Sequence, residues 1–275
     1  MASTHIDVPG GRLHVVDEGT GPPLVLLHAG VADLRAWDAT VPPLLAAGYR
    51  VVRFDARAFG GSTTDDVESS PRADLIAVLD ALDIGRAVFV GNSRGGATAF
   101  DAAIESSERV VAVIGVAAGL DGFTGEPTPA EVSLFEAYER LDAADPDDAD
   151  ALTDFEVGIW LEGPGQPPGR VDPAVREAFR AMARPLNEAG RVRGRSTPLD
   201  PPANDRLAEL RCPVLALAGA LDFSEVAHVA YRLESAAPNG RAIVWPDVAH
   251  MIGMEFPDRL AATIVDFLAP LDRWG

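Results

Sequence analysis

Gly91-Asn92-Ser93-Arg94-Gly95 sets one serine between two glycines, and Gly96 follows. An apolar run, Ala87–Val90, precedes it, and the helix-like "GGATAFDAAI" comes after. A strand that turns straight into a helix strains its apex residue, and side chains at the flanking positions would strike neighbouring backbone. A serine held there is a candidate nucleophile if a base and an orienting acid lie within reach. His250, in "WPDVAHMIGMEFP", falls just past the last strand-like run, and Asp222, in "LALAGALDF", ends the run before it. Asp121 ends an earlier run and is the rival acid; the chain order Ser, Asp, His, each after a later strand, favours Asp222. His5, His14 and His228 read as surface or packing residues. Attack on a carbonyl leaves an oxyanion that needs donors. The backbone N–H of Arg94, at a helix start, is one. The other belongs to the loop after "LVLLHAG", with Gly30 first and Val31 as its alternative. His28 reads as a structural pin for that loop.

These residues need a scaffold that collects strand ends. "THIDVP" and "RLHVVDEG", split by two glycines, read as a hairpin. "PPLVLLHAG" and "YRVVRFDARAFGGS" are continuous apolar runs ending in turns, as in strands buried on both faces. Leu34–Ala47 and Pro71–Leu82 carry helical spacing. "RVVAVIGVAA" is a further strand. Between about 120 and 205 the rhythm changes to helix-like pieces at Pro129–Leu141 and Pro173–Ala189, an acidic tract "LDAADPDDAD", and the loop "EGPGQPPGR". Alternation then resumes with "CPVLALAGA", a helix at Phe223–Leu233, "RAIVWP", and a helix at Phe256–Leu268. The expected class is α/β: a mostly parallel sheet of about eight strands with helices on both faces. Residues 1–119 and 206–275 form the core, and a helical cap at 120–205 is inserted before the last two strands. Sites in such sheets gather at the carboxyl ends of the strands. His28, Asp55, Ser93, Asp121, Asp222 and His250 all fall there.

The 275 residues carry a net charge of −19, which disfavours nucleic acid and anionic membranes as partners. All 23 basic residues are arginine, a compositional bias and not an arginine patch. No apolar run reaches the length of a membrane span. The first residues lack the basic start and apolar core of a secretion leader, so a cytoplasmic location is expected. The single cysteine, Cys212, permits no internal disulfide and reads as a buried residue at a strand start. No metal motif, Walker loop or dinucleotide fingerprint occurs, so no cofactor and no metal are expected.

The blocks "LLHAG", "FDARAFGGS", "VGNSRGG", "LAGALD" and "AHMIGMEFPD", in this order, resemble the capped, serine-dependent branch of the α/β-hydrolase superfamily over essentially the whole chain. The resemblance implies Ser93 as nucleophile, Asp222 as acid, His250 as base, and an oxyanion hole from the N–H groups of Gly30 and Arg94. Two positions depart from the family pattern. Ala29 follows His28 where glycine is usual, and Ala58 replaces the first glycine of D-x-R-G-x-G-x-S. Neither removes a reacting group.

The reaction implied is hydrolysis of a small ester or lactone by a monomer or homodimer. "GNSRGGATA" is also similar to the elbow of hydrolases that cut a carbon–carbon bond in vinylogous diketo acids, for which Arg94, Arg184 or Arg191 would supply a cationic contact. A third reading is a non-catalytic receptor of small molecules. The cap residues Trp160, Phe155, Phe135, Met182 and Leu161, together with His28, Val31, Arg94 and Met251, are candidates for the substrate pocket. The Arg94 side chain either enters that pocket or pairs with Asp101 or Asp121, with pairing favoured.

Overall fold

The structure is a computed structural model and describes residues 2–144, 148–188 and 191–271. Its strands are β1 (Ala2–Val8), β2 (Gly11–Glu18), β3 (Pro23–Leu27), β4 (Arg50–Phe54), β5 (Thr63–Thr64), β6 (Glu68–Ser69), β7 (Ala87–Asn92), β8 (Val110–Val116), β9 (Arg195–Ser196), β10 (Val214–Gly219) and β11 (Gly240–Trp245). Its α-helices are α1 (Val41–Ala46), α2 (Pro71–Ala81), α3 (Arg94–Glu105), α4 (Pro129–Ala144), α5 (Ala149–Glu156), α6 (Pro173–Ala183), α7 (Ser224–Ala236), α8 (Ile252–Glu255) and α9 (Pro257–Leu268). The main sheet runs β1-β2-β4-β3-β7-β8-β10-β11, with β5 added beside β2. The β1–β2 and β2–β4 pairs are antiparallel, and every pair from β4 to β11 is parallel.

The central strands are apolar at every position because both faces are covered. Alternate residues of one strand enter different cores. Leu24 and Leu26 of β3 join the layer against α1 and α9, while Val25 and Leu27 join the layer against α2, α3 and α7. A third apolar cluster lies under the insert between β8 and β10: Val157, Leu161, Phe179 and Met182 pack against Ala29, Ala32, Ala36 and Met251.

Prolines redraw two expected helices. Leu34–Ala47 splits into a 3₁₀ turn at Leu34–Trp37 and α1, because Pro42 and Pro43 lack N–H groups and fit only a first turn. Pro173–Ala189 becomes α6 and a 3₁₀ turn at Arg184–Asn187, with Pro185 at the break. The insert is not purely helical. β9 pairs in parallel with β6 on the core, an element too short to show periodicity in sequence. The centre of the acidic tract, 145–147, lies outside the described residues. Cys212 is half-buried, and burial pushes its thiol up to about 11.

Candidate active site

The sheet order reverses at β3: the chain runs from β3 to β4 on one side, then returns to lay β7 on the other. Loops leaving such a switch point diverge and open a crevice. The loop after β3 carries Gly30 and Val31; the turn after β7 carries Ser93.

Ser93 sits at φ 53° and ψ −118°, a backbone region that side chains rarely occupy. Glycines make the turn possible. A Cβ on Gly91 would stand 2.2 Å from the carbonyl oxygen of Gly95, and one on Gly95 would stand 2.3 Å from that of Leu27. The Ser93 carbonyl accepts from the N–H groups of Gly96 and Ala97, so Ser93 caps α3 and the N–H of Arg94 is the first of the helix.

His250 and Asp222 meet. Nδ1 of His250 donates to Oδ2 of Asp222 at 2.7 Å, and Oδ1 of Asp222 accepts the N–H of Phe223 at 2.8 Å. The Asp222 side chain is fully shielded, and that of His250 is 5% exposed. The pairing puts the proton on Nδ1 and leaves the Nε2 lone pair available. Asp121, the rival acid, is exposed, and its backbone carbonyl accepts the N–H of Asn204. Ser93 and His250 both wall a cleft of about 170 Å³ together with Phe135, Trp160, Phe223, Val226 and Val229. The ring centroid of Trp160 is 4.8 Å from that of His250, and Phe135 stacks on Phe223 at 4.7 Å.

Several supporting residues were not legible as such. Asn92, the variable position of the motif, donates to the carbonyls of Val116 at 2.9 Å and His250 at 3.3 Å, tying the histidine loop to β7. Glu131 of α4 accepts the N–H and hydroxyl of Ser224, directly behind Asp222. Glu255 accepts the N–H of Ala249 and pairs with Arg170, which also holds the carbonyls of Leu161 and Glu162 at the end of the π-helical turn bearing Trp160. Asn92 lay inside the quoted motif, but its bond to the His250 carbonyl spans 158 residues.

His28 is a pin. Its Nδ1 donates to the Ala29 carbonyl at 2.8 Å and its Nε2 accepts the Ala56 N–H at 2.9 Å, which fixes a neutral tautomer. Burial lowers its pKa, and the Arg94 charge lowers it further. Both nitrogens are therefore occupied. Asp55 is structural too, accepting from Leu34, Gly61 and His14.

Two expectations for the substrate site are corrected, those for Met251 and Arg184. Met251 is fully buried in the cluster beneath the insert. Phe155 is half-buried and lies against Tyr138, with ring centroids 6.1 Å apart. Arg184 bonds Asp150 and Glu188 at the surface. The favoured pairing of Arg94 is also corrected. Asp101 lies 3.6 Å from Arg72, and Arg94 instead rests its guanidinium over the Phe59 ring at 4.8 Å. The Arg94 stem runs beside Gly30, whose added Cβ would lie 3.8 Å from Cδ. Gly30, Val31 and Arg94 together wall a second, larger cavity of about 440 Å³.

Residues 24–263 match the model of the alpha/beta hydrolase family. The chain belongs to the alpha/beta hydrolase family. Among alpha/beta hydrolases and related proteins, it is 28% identical to the 2-hydroxy-6-oxononadienedioate/2-hydroxy-6-oxononatrienedioate hydrolase of Paraburkholderia xenovorans, over 94% of this chain and 91% of that one. It is 27% identical to bifunctional epoxide hydrolase 2 of Mus musculus over 66% of this chain, and spans only 31% of that longer protein. Among solved structures, a thermophilic esterase from Thermogutta terrifontis, with malate bound, superposes with a TM-score of 0.75 at 25% identity, covering 98% of this chain and 99% of the esterase. The enol-lactonase from Burkholderia xenovorans has the same fold, with a TM-score of 0.73 at 22% identity over 97% of this chain and all of that one. The chain thus carries this family's fold on a mostly parallel sheet. No helix among the described residues is long and apolar enough to cross a membrane.

Proposed function

We propose that the protein hydrolyses a small carboxylic ester or lactone through an acyl-enzyme on Ser93. The observation that carries this reading is the backbone of Ser93, held at positive φ at the head of α3 while it shares a cleft with the Asp222–His250 pair. His250 Nε2 takes the Ser93 hydroxyl proton as Oγ attacks the carbonyl carbon. Asp222 holds the imidazole and offsets the charge it gains. The N–H of Arg94 and that of Gly30, or of Val31 beside it, donate to the oxyanion. His250 returns the proton to the departing alcohol, and water activated by the same nitrogen clears the acyl group. Residues 120–205 act as a cap that closes the cleft with Trp160 and Phe135.

Epoxide hydrolases resemble this layout but use aspartate at the elbow, so Ser93 argues against that activity. Ser93→Ala is expected to lower turnover of a 4-nitrophenyl ester panel by at least about a thousandfold while the circular dichroism spectrum is retained. Wild-type protein inert toward that panel and unlabelled by a fluorophosphonate would overturn the proposal.

A second reading has one observation in its favour. A relative matched over 94% of this chain is named as a hydrolase of a dienedioate, and this chain places arginines beside the candidate oxyanion loop. Loss of a dienoate chromophore on mixing, without turnover of simple esters, would select carbon–carbon hydrolysis.

A further inference from the structure

The cavity beside Gly30 and Val31 is walled by four arginines, Arg57, Arg94, Arg191 and Arg193, and by one carboxylate, Glu156. Two of these five charges are already committed. Arg57 bonds Asp74 twice, at 2.7 and 2.8 Å. Glu156 accepts from the Tyr138 hydroxyl and the Asn187 amide. The other three arginines meet no carboxylate within ion-pair distance among the described residues. Arg191 donates to the carbonyl of Ala58, and Arg193 donates to that of Leu186 at 2.9 Å.

Arg94 is the most exceptional. Its guanidinium lies on Phe59, and none of its five N–H donors finds a protein acceptor among the described residues. Burial holds the pKa of Arg94 below the ordinary guanidinium range, with Asp74 opposing that shift from a distance; burial also lowers Arg191, and the Arg193 charge adds to it. A guanidinium keeps its proton at neutral pH as a matter of its own chemistry. Uncompensated cations in a partly dehydrated wall are costly, and a bound anion offsets that cost. The positive wall stands out further in a chain of net charge −19. A planar fork with free donors, stacked on an aromatic ring, suits a carboxylate.

We propose that this cavity binds a carboxylate carried by the substrate, with Arg94 as its main contact and Arg191 and Arg193 supporting it. Arg94 is the residue after Ser93, so the bound carboxylate lies a few carbons from the reacting carbonyl, on the side of the Gly30 loop. The apolar cleft of Trp160, Phe223 and Phe135 takes the uncharged remainder. The preferred substrates are esters whose acyl part ends in a carboxylate. This inference rests on the proposal that Ser93 is acylated.

The test compares mono-4-nitrophenyl adipate with its uncharged counterpart, 4-nitrophenyl hexanoate, after subtraction of enzyme-free hydrolysis. Wild-type kcat/KM is expected to favour the hemiester by about tenfold or more. In Arg94→Met that preference falls to near unity, mainly through KM, and in Arg94→Lys it falls part-way, since a point charge replaces the fork. An unchanged preference in Arg94→Met overturns the anion site. Adipate binding to Ser93→Ala, measured by calorimetry, judges the cavity without turnover: binding lost in Ser93→Ala/Arg94→Met supports the site, and no binding to Ser93→Ala overturns it. Wild-type protein that binds adipate yet cleaves neither ester overturns the acyl-enzyme reading and retains the anion site.

Discussion

Ala58 shows how one side chain records a departure from the family pattern. It stands where the D-x-R-G-x-G-x-S pattern has glycine, and its φ is 66°, in the left-handed region. Glycine enters that region freely, whereas an L side chain is strained there by roughly 1 kcal/mol. Ala58→Gly is therefore expected to raise unfolding stability by about 0.5–1 kcal/mol, read from the urea midpoint, and a fall would show that the Ala58 methyl packs more usefully than it strains. Arg94 teaches the opposite lesson. Its place in the motif was plain from sequence, but the direction of its side chain was not. Nearby carboxylates in the chain suggested pairing, and the fold gave Asp101 to Arg72 instead, leaving Arg94 against Phe59.

At the scale of elements, the acid and base loops are held by contacts from elsewhere. Thr128 and Glu131 form a capping box at the start of α4: the Glu131 N–H donates to the Thr128 hydroxyl, and the Thr128 N–H donates to the Glu131 carboxylate. The same carboxylate then grips the start of α7 through Ser224, at 2.5 and 2.9 Å. Burial alone would raise its pKa, but the N–H groups of Ser224 and Thr128 and their hydroxyls outweigh burial and hold it below the ordinary value of 4.5. A depressed acid contributes stability above its unfolded pKa, and that contribution fades as pH falls through the folded value. Glu131→Gln is expected to cost about 1–3 kcal/mol at neutral pH. The difference from wild type should shrink below pH 4.5. A pH-independent difference would show that shape, and not charge, holds the two helices. The Thr128–Glu131 bonds are local to one helix start, whereas the grip of Glu131 on α7 spans 93 residues.

Across the whole molecule, 42 acidic residues face 23 basic ones. Self-repulsion of that size destabilises the compact state at low ionic strength, and salt screens it. The surface ion pairs that salt also weakens are each worth little. The midpoint of thermal unfolding is therefore expected to rise by roughly 2–5 °C between about 20 and 300 mM sodium chloride. A falling midpoint would mean that the ion pairs outweigh the net charge.

The sheet, its helices and the G-x-S-x-G elbow were legible because their signals are local. Strand and helix periods appear within a few residues, and a glycine-flanked turn must be written with glycines where Gly95 packs against the Leu27 carbonyl. The order Ser93, Asp222, His250 also follows from the chain, since each residue ends a strand. Helix breaks at Pro42 and Pro185 were local too, but were overruled in reading by the stronger apolar spacing around them. What the chain alone left open lies in contacts between distant segments. The burial of Met251 beneath the insert and the two-residue β6–β9 ladder depend on which surfaces meet once the insert folds onto the core. The arginine-walled cavity is of the same kind. Arg57, Arg94, Arg191 and Arg193 come from segments far apart in the chain, and only packing decides which of them finds a carboxylate.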